Sequence, residues 1–439
     1  MSSSLTRRNL LKSAAGLLPL GLAPTVASAG FFDRLLSGKQ EASTKQHVVV
    51  VGAGFAGATF SIYLKKWSPN TKITVIEPNR AFASTLKSNE VISGAGVMAD
   101  IIHTYRHVQQ IVDAWVKATV TGIDPTRRTV TTSDGSTISY DRLVLCGGVE
   151  LQFDRVLGYD MNAQQSVMHA WKTGPQTAFL RRQLQTMPDG GVFVLTIPQA
   201  PYSCPSGPYE RVCTVASYFK KTKPRSKIIV LDGNPDIASL KFLYLAAWKK
   251  HFGFGTPDSM IDYRPINVAR SLDVDKMMVG TEFDDVKADV INLIPPMRAA
   301  EICGMAGVRD GNWCTIDYTT FESKVVPNVH IIGDSALTNF PKSAAIANSV
   351  GKLCAYAMAE MFAGRQPDPS PVVTSNCYAT TGQSTTFHVA TVFRWDNERR
   401  AMLPAKNATG VSKEESELEY AYFESWEKNI INDTLGISQ

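Results

Sequence analysis

The sequence predicts an α/β protein with parallel sheets, followed by a small α+β segment. Residues 48–51 are four consecutive valines, which is typical of a strand buried on both faces, and the apolar run 191–197 repeats this pattern after a helical stretch. The tail, 372–439, has strand-like runs such as 387–393 and then a helical segment, 413–431. Alternating strands and helices indicate parallel sheets. We therefore expect two Rossmann-like dinucleotide-binding domains and a small C-terminal α+β interface domain.

A glycine-rich turn follows the first strand. Gly52, Gly54 and Gly57 form a G-x-G-x-x-G pattern, and Glu77 ends the next apolar strand, 72–76. In a dinucleotide-binding turn the first glycine permits the tight turn, the second admits the pyrophosphate and the third lets helix and strand pack closely. The helix N-terminus then offers free N–H groups to phosphate, and Glu77 is placed to bond a ribose. The alternative is a turn that binds nothing, but strand, helix and acid all have the required spacing.

A second nucleotide motif lies far along the chain. Residues 325–334 indicate a short strand that ends in Gly333 and Asp334, and a long apolar helix, 344–362, follows. This pattern resembles the second flavin motif of flavoproteins with two dinucleotide-binding domains, in which the aspartate holds the ribityl chain. Residues 140–148 resemble the linking motif of the same proteins. The three motifs together predict FAD rather than NAD as the cofactor.

The second α/β unit lacks a phosphate-binding turn. Its helical stretch, 172–187, and its strand, 191–197, are followed by the loop 198–210, which contains four prolines and one glycine. Proline fixes φ and removes the N–H donor that a phosphate-binding turn needs. We therefore predict that this unit does not bind NAD(P)H.

Composition excludes several classes of function. The chain has 439 residues, 44% of them hydrophobic and 19% charged, which is long enough for two or three globular domains. The formal charge is +5, and Arg7, Arg8 and Lys12 supply three of these charges, so that +2 remains after residue 29. So small a balance gives no reason to expect nucleic-acid binding. The cysteines form no C-x-x-C pair, and no metal site is predicted.

The first 29 residues are expected to be an export signal. Arg7 and Arg8 precede the apolar run 14–23, and residues 27–29 form an A-x-A cleavage site, which together resemble a twin-arginine signal peptide. The alternative is an uncleaved amphipathic anchor. Because no later apolar run reaches the length of about 18 residues that spans a bilayer, we expect a periplasmic mature chain with no integral membrane segment.

The order of these signals predicts the domain boundaries. We expect a twin-arginine signal peptide (1–29), a first part of the FAD-binding domain (30–158), a second Rossmann-like domain (159–288), a second part of the FAD-binding domain (289–364) and a C-terminal domain (372–439). Residues 289–296 are expected to contain the strand that returns the chain to the FAD-binding domain.

Nearly the whole chain after the signal resembles one family, the flavoprotein subunit of flavocytochrome c sulfide dehydrogenase. The resemblance rests on several short stretches: SNEVISG (88–94), HAWKTG (169–174), CPSGPYER (204–211), FGFGT (252–256), DVINLIPP (289–296), TFES (320–323), GDS with PKS (333–343), SNCY (375–378) and the segment 425–434. It implies a periplasmic FAD enzyme that oxidises sulfide and passes electrons to a separate c-type cytochrome subunit.

Two departures from the family pattern concern the cofactor and the redox cysteines. The family links its flavin covalently to a cysteine three residues before SNEV, where this chain has Thr85, so we predict non-covalent FAD. The family also keeps a redox disulfide beside the flavin. One of its cysteines matches Cys204, and the other is expected just after the GD motif, where this chain has Ser335 and Ala336. Cys204 then acts alone, or a distant cysteine such as Cys377 folds over it; we expect an unpaired Cys204.

Four further residues have a functional and a structural interpretation. The thiol of Cys204 receives or binds sulfur, or it is an inherited residue without a redox role. Glu210 is a proton acceptor near the flavin, or an acid that ties its loop. Trp426 packs by the flavin, or it is an ordinary interface tryptophan. Lys342 places a positive charge by the pyrimidine ring, or it is a solvent lysine.

The leading prediction for function is an FAD-dependent dehydrogenase of sulfide, or of another small reduced sulfur compound, with a c-type cytochrome partner. A second interpretation is a related dehydrogenase whose substrate changed after loss of the disulfide. A third is a flavin-binding partner protein with little turnover. A membrane quinone reductase is disfavoured because the tail contains no apolar amphipathic helix for membrane docking.

Overall fold

The computed structural model describes residues 46–382 and 384–436. The predicted signal peptide and cleavage site lie outside the described residues. Among the described residues, no helix is both long and apolar enough to pass through a membrane.

The described chain up to residue 158 contains strands β1 to β10 and helices α1 to α3. Their bounds are β1 His47–Val51, α1 Phe55–Trp67, β2 Lys72–Ile76, β3 Ala81–Ala83, α2 Ser88–Ser93, β4 Ile102–Thr104, α3 Arg106–Ile111, β5 Ala114–Val116, β6 Val120–Asp124, β7 Thr129–Thr132, β8 Thr137–Ser139, β9 Arg142–Leu145 and β10 Val149–Leu151.

The middle of the chain contains strands β11 to β18 and helices α4 to α6. Their bounds are α4 Pro175–Thr186, β11 Val192–Ile197, α5 Gly207–Thr222, β12 Lys227–Asp232, α6 Lys241–Phe252, β13 Ile261–Pro265, β14 Ser271–Asp273, β15 Met278–Gly280, β16 Asp285–Lys287, β17 Val290–Leu293 and β18 Met297–Ala299.

The remaining elements complete the first domain and form the C-terminal one. They are α7 Glu301–Met305, β19 Val329–Ile331, α8 Ala344–Phe362, β20 Val372–Thr380, β21 Thr386–Asp396, β22 Ala401–Val411 and α9 Glu417–Leu435.

The first sheet is parallel, in the order β19-β9-β1-β2-β5. Val48, Val49 and Val50 of β1 are fully buried, because strands flank β1 on both sides and helices cover the sheet. The strand order changes direction between β1 and β9, and in such sheets ligands bind outside the carboxyl ends of the strands at this point. The predicted nucleotide turns follow β1 and β19, so both lie at that edge.

The second sheet has the order β13-β12-β11-β17 and is also parallel. The prediction that residues 289–296 return the chain to the first domain is wrong, because β17 pairs with β11 of the second sheet. The chain passes back only at β18, which pairs with β10. Four buried residues in a row indicate a parallel strand of any sheet, so the pattern could not identify the partner strand.

The C-terminal domain is a three-stranded antiparallel sheet, β20-β21-β22, with α9 beside it. The helix begins and ends later than predicted. Its start is fixed by Ser416, whose Oγ accepts a hydrogen bond from Glu419 N, and its end by Gly436 at φ +68°. Asp433 near that end accepts hydrogen bonds from Tyr63 of α1 and Asn348 of α8, which ties the C-terminal domain to the first domain.

Candidate active site

The turn after β1 has the geometry that a dinucleotide requires. Gly52 has φ of +94°, and a Cβ there would lie 2.8 Å from the carbonyl oxygen of Cys146. A Cβ at Gly57 would lie 2.0 Å from the carbonyl oxygen of Gly52, so only glycine lets α1 pack this closely. A Cβ at Gly54 would meet no atom within 4 Å, because this residue borders an open cavity. No side chain caps α1 there, and its N–H groups are available to an anion.

Glu77 organises this turn from behind. Its carboxylate accepts a hydrogen bond from Ala53 N at 2.9 Å and two from Asn79, at 2.8 Å from the backbone and 2.7 Å from the side chain. Glu77 is buried and does not line the cavity. Its position holds the glycine turn in place, and its contact with a ribose stays a prediction.

The second nucleotide motif forms the opposite wall of the same cavity. Gly333 has φ of +79°, and Asp334 accepts a hydrogen bond from Ser203 Oγ at 2.6 Å. Burial raises the pKa of Asp334. Helix α8 begins just beyond, with Ser343 as its N-terminal cap, and Ser343 and Ala344 also line the cavity. Two helix N-termini therefore face one space, which favours a ligand with phosphate groups.

The cavity has about 1150 Å³ of space between its walls, including the part that is open to solvent. All three predicted domains contribute side chains to it. The predicted site residues that line it are Gly54, Gly333, Asp334, Cys204, Glu210 and Trp426. Gly52, Gly57, Glu77 and Lys342 do not line it.

Lys342 is buried behind the wall instead. Its ammonium donates to the carbonyl oxygens of Asp334 and Ala336, both at 2.7 Å, and lies 3.9 Å from the centre of the Trp313 ring. Burial lowers the pKa of Lys342 to about 8. Its own carbonyl oxygen accepts a hydrogen bond from Cys204 N at 2.8 Å. The structure thus has Lys342 joining the Asp334 turn to the loop that carries Cys204.

Cys204 and Cys377 face the same cavity. Cys204 lies between β11 and α5 with φ of +55°, and Cys377 lies in β20. The Cys377 thiol is close enough to interact with the side chain of Ser206, only two residues beyond Cys204. Burial raises the pKa of both thiols, that of Cys377 to about 12, and the charge of Cys377 raises the pKa of Cys204 further.

The location expected for the partner of Cys204 therefore needs correction. Both cysteines are free thiols in the structure, but Ser335 and Ala336 do not line the cavity, whereas Cys377 does. Of the two alternatives that the sequence left open, the structure brings Cys377 to the side of Cys204.

Glu210 is held as a buried acid beside these thiols. One carboxyl oxygen accepts from Thr380 N at 2.9 Å, and the other accepts from Asn89 Nδ2 at 2.7 Å. Burial raises the pKa of Glu210 to about 7, although both hydrogen bonds favour the charged form. A carboxyl group that titrates near neutrality inside a cavity is suited to accept a proton.

Asn89 also connects Glu210 to a buried cation, Arg211. Its Oδ1 accepts from Arg211 Nε at 2.9 Å, and the other guanidinium nitrogens donate to Asn292 Oδ1 at 2.7 Å and Ala170 O at 2.8 Å. Burial lowers the pKa of Arg211 to about 10. The guanidinium therefore supplies a fixed positive charge that favours a negative charge on Glu210 or Cys204.

Aromatic side chains from the C-terminal domain close the cavity. Trp426 and Phe423 of α9 line it together with Tyr378 of β20, whose ring centre is 5.3 Å from that of Trp426. Trp171 lines the cavity from the second domain. Thr85, where the family places the flavin-linking cysteine, also lines it.

Family comparisons agree with this arrangement. Residues 177–295 match the family described as sulfide dehydrogenase [flavocytochrome c] flavoprotein chain, central, and residues 369–435 match flavocytochrome c sulphide dehydrogenase, flavin-binding. The sulfide dehydrogenase flavoprotein chain of Chlorobaculum thiosulfatiphilum is 46% identical over 46 residues, which are 10% of this chain and 96% of that sequence. The chain belongs to the flavocytochrome c sulfide dehydrogenase flavoprotein family.

Relatives with another electron acceptor match as well. Residues 46–184 match the pyridine nucleotide-disulphide oxidoreductase family. The mitochondrial sulfide:quinone oxidoreductase of Mus musculus is 24% identical over 71% of this chain and 71% of its own. The sulfide:quinone oxidoreductase structure from Aquifex aeolicus superposes with a TM-score of 0.72 at 18% identity, over 89% of this chain and 92% of that one. By its family, this chain is a sulfide-oxidising flavoprotein oxidoreductase.

FAD is the cofactor of this family, and the cavity fits it. Gly54 leaves space where a pyrophosphate passes, the N-termini of α1 and α8 face that space, and Asp334 lies where the resemblance places the ribityl contact. Sequence reasoning missed Asn89 and Arg211 as site residues, although both lie in the quoted stretches SNEVISG and CPSGPYER.

Proposed function

We propose that this protein oxidises sulfide at Cys204 and Cys377 in the periplasm and passes the electrons to a c-type cytochrome subunit. The observation that carries the proposal is the convergence of two thiols, the Glu210 carboxyl and the nucleotide-binding turns on one cavity. A sulfur-accepting pair beside a flavin site is what the oxidation of a one-sulfur substrate requires.

Cys204 and Cys377 react with sulfide when they are joined to each other as a disulfide. Hydrosulfide attacks one sulfur of the Cys204–Cys377 bond; a new S–S bond forms to that cysteine, and the other cysteine leaves as a thiolate. A second hydrosulfide takes the outer sulfur of the persulfide away as hydrodisulfide and leaves two reduced cysteines. FAD, when bound, would accept the two electrons whose loss rejoins them as a disulfide. Because burial raises the pKa of both thiols, a thiolate formed here is high in free energy and readily gives up its electrons.

Glu210 takes the proton of the attacking hydrosulfide. Its pKa of about 7 leaves a substantial fraction ionised at neutral pH. The hydrogen bonds from Thr380 N and Asn89 Nδ2 fix the carboxylate in the cavity wall. The Arg211 guanidinium, which reaches Asn89 from behind, stabilises the negative charge before the proton arrives.

The surface of α9 supports a soluble acceptor over a membrane quinone. Its exposed positions include the large residues Leu418 and Tyr422 as well as Ala421, Ser425 and Asn429. The helix has five acidic residues against one lysine, Lys428. Helices that dock on membranes combine a strongly apolar face with basic residues. Helix α9 exposes two apolar side chains but carries a single basic residue among five acidic ones, so it lacks the basic residues of such a docking helix.

The test compares acceptors and cysteine variants in the FAD-loaded protein. With sulfide as the donor, c-type cytochrome is expected to be reduced faster than a soluble ubiquinone analogue. Cys204→Ala and Cys377→Ala are each expected to lower that rate at least about 100-fold. The matched control is Cys213→Ala, because Cys213 is buried against Trp248 outside the cavity. Faster quinone reduction would contradict the acceptor, and full activity of Cys377→Ala would contradict the pair.

Thiosulfate and cysteine persulfide in the same assay test the interpretation that the substrate has changed. A rate with either compound well above the sulfide rate would favour it. No turnover with any donor would favour a flavin-binding partner protein. The presence of Cys377 beside Cys204 supports sulfide, because the argument for a changed substrate was the missing partner thiol.

Export by the twin-arginine route is part of the same proposal and rests on the first 29 residues. Replacing Arg7 and Arg8 together by lysine is expected to retain the protein in the cytoplasm. An unchanged yield in the periplasmic fraction would contradict this route.

A further inference from the structure

A second pair of thiols lies outside the cavity. Cys303 of α7 and Cys314 are both fully buried, and their thiols are close enough to interact directly. The backbone brings the two segments side by side: Ala299 N donates to Asn312 O at 2.7 Å, so the chain returns to α7 just before Cys314. This thiol contact lowers the pKa of Cys303 and raises that of Cys314.

The pair lies directly behind the Asp334 turn. Cys314 N donates to Ser335 O at 3.1 Å, and Leu337 N donates to Cys314 O at 2.8 Å. The Ser335 hydroxyl accepts from Ala300 N at 3.2 Å, next to α7, and donates to the carbonyl oxygen of Gly148. Gly148 lines the cavity, whereas Cys303 and Cys314 do not. The two thiols are therefore separated from the substrate-facing pair.

We propose that Cys303 and Cys314 form a structural disulfide that fixes the back of the cofactor cavity. Each thiol loses its hydrogen, one S–S bond forms, and the two electrons and two protons reduce an external disulfide to two thiols. A disulfide requires Cα atoms within about 7 Å, and two thiols that interact directly on segments joined by the Ala299–Asn312 hydrogen bond are placed to meet this requirement. The bond closes the loop 304–313 and lowers the entropy of the unfolded chain.

The loop that the disulfide closes supports the cofactor wall. Trp313 is adjacent to Cys314, and the Lys342 ammonium lies 3.9 Å from the centre of its ring. The same ammonium holds the carbonyl oxygen of Asp334, and Lys342 O accepts from Cys204 N. We expect the disulfide to fix Trp313, and through it the Asp334 turn, so reduction of this bond weakens FAD retention.

Peptide mapping tests the bond directly. The purified full-length protein is oxidised with glutathione disulfide. It is then denatured in the presence of N-ethylmaleimide, which alkylates the free thiols, and digested with trypsin without reduction. Cys303 and Cys314 fall in separate tryptic peptides, 299–309 and 310–324, each with one cysteine. A cross-linked species of these two peptides is expected. Cys213 serves as the control, because it is equally buried and its sulfur accepts a hydrogen bond from Trp248 Nε1. We expect Cys213 to be alkylated.

Two mapping results would overturn the proposal. One is N-ethylmaleimide on both Cys303 and Cys314. The other is a cross-link from Cys303 to Cys146; burial is the main cause of the raised pKa of Cys146, and the charges of Cys354 and Cys303 raise it further, so Cys303 lies within interaction range. The mapping does not depend on sulfide turnover, so its failure leaves the proposed function standing, and failure of the sulfide assay leaves this disulfide standing.

A stability measurement gives a second, independent readout. In the Cys204→Ala/Cys377→Ala background, which removes the other pair, the oxidised protein is expected to lose about 3 °C of Tm on addition of reductant, and to release FAD at a lower temperature. Adding Cys303→Ser and Cys314→Ser should abolish the reductant effect. A Tm that is insensitive to reductant before these substitutions would contradict the proposal even if all variants fold.

Discussion

Glu210→Gln is expected to change how stability depends on pH. Burial raises the pKa of Glu210 from 4.5 to about 7, so the folded protein binds its proton more tightly than the unfolded chain does. The stabilisation from this proton is fully present below pH 4.5 and is lost as pH rises through 7. Between pH 5 and pH 8 the free energy of unfolding of the wild type should fall by about 2.5 kcal/mol because of this one group, since one pKa unit corresponds to about 1.36 kcal/mol.

The glutamine variant cannot lose that stabilisation, because it carries no charge at either pH. At pH 5 the protonated Glu210 resembles the amide, because each has one carbonyl oxygen that can accept from Thr380 N or Asn89 Nδ2. The second hydrogen bond belongs to the charged form, and its stabilisation is already included in the pKa of about 7. Between pH 5 and pH 8 the free energy of unfolding of the variant should therefore rise by about 2.5 kcal/mol relative to that of the wild type. Sulfide turnover of the variant at pH 8 should fall by about 100-fold or more.

The assay is urea unfolding of the FAD-loaded proteins at pH 5 and pH 8, followed by tryptophan fluorescence. The control is Glu417→Gln, since Glu417 is exposed at the start of α9, outside the cavity; this variant should keep the pH dependence of the wild type. An identical difference between Glu210→Gln and wild type at both pH values would refute the buried acid and, with it, the proton acceptor.

Three further predictions concern the cofactor. Acid denaturation should release free flavin into the supernatant because Thr85 has no thiol; flavin that stays with the precipitate would place the attachment elsewhere. Gly54→Val should fold but lose FAD, since its side chain enters open cavity, whereas Gly57→Ala should lower Tm because a Cβ there lies 2.0 Å from a carbonyl oxygen; normal flavin content of Gly54→Val would contradict this. NADH should not bleach the flavin, because Asp232, the acid that ends β12, is buried and already accepts hydrogen bonds from Tyr209 and Tyr263; rapid anaerobic bleaching would disprove it.

Local physics explains which parts of the fold the sequence could predict. The bounds of β2 agree with the predicted 72–76, and α8 ends at Phe362 as predicted, because period and flanking residues define such elements without reference to the rest of the chain. The sheet to which β17 belongs was mispredicted, since a buried strand has the same pattern wherever it pairs. Pairing is decided by contacts between residues far apart in sequence.

The same distinction applies to the site. Gly54 and Asp334 belong to motifs whose spacing specifies the geometry, so they could be placed from sequence. Cys377 could be named only as one of two alternatives, because β20 reaches the cavity only after the C-terminal domain packs against the loop that holds Cys204. Lys342 immediately precedes Ser343, which lines the cavity. Its ammonium nevertheless contacts two carbonyl oxygens and the Trp313 ring instead, and no local sequence pattern predicts this contact.

The span of the cavity along the chain has a consequence for biosynthesis. Its walls extend from Gly54 near one end of the sequence to Trp426 near the other. The cavity therefore has all of its walls only after the ribosome has synthesised α9, so we expect FAD to enter the complete site after that helix has been made. A chain that stops before α9 lacks Phe423 and Trp426 of the aromatic wall, so retention of FAD reports whether a newly made molecule contains α9.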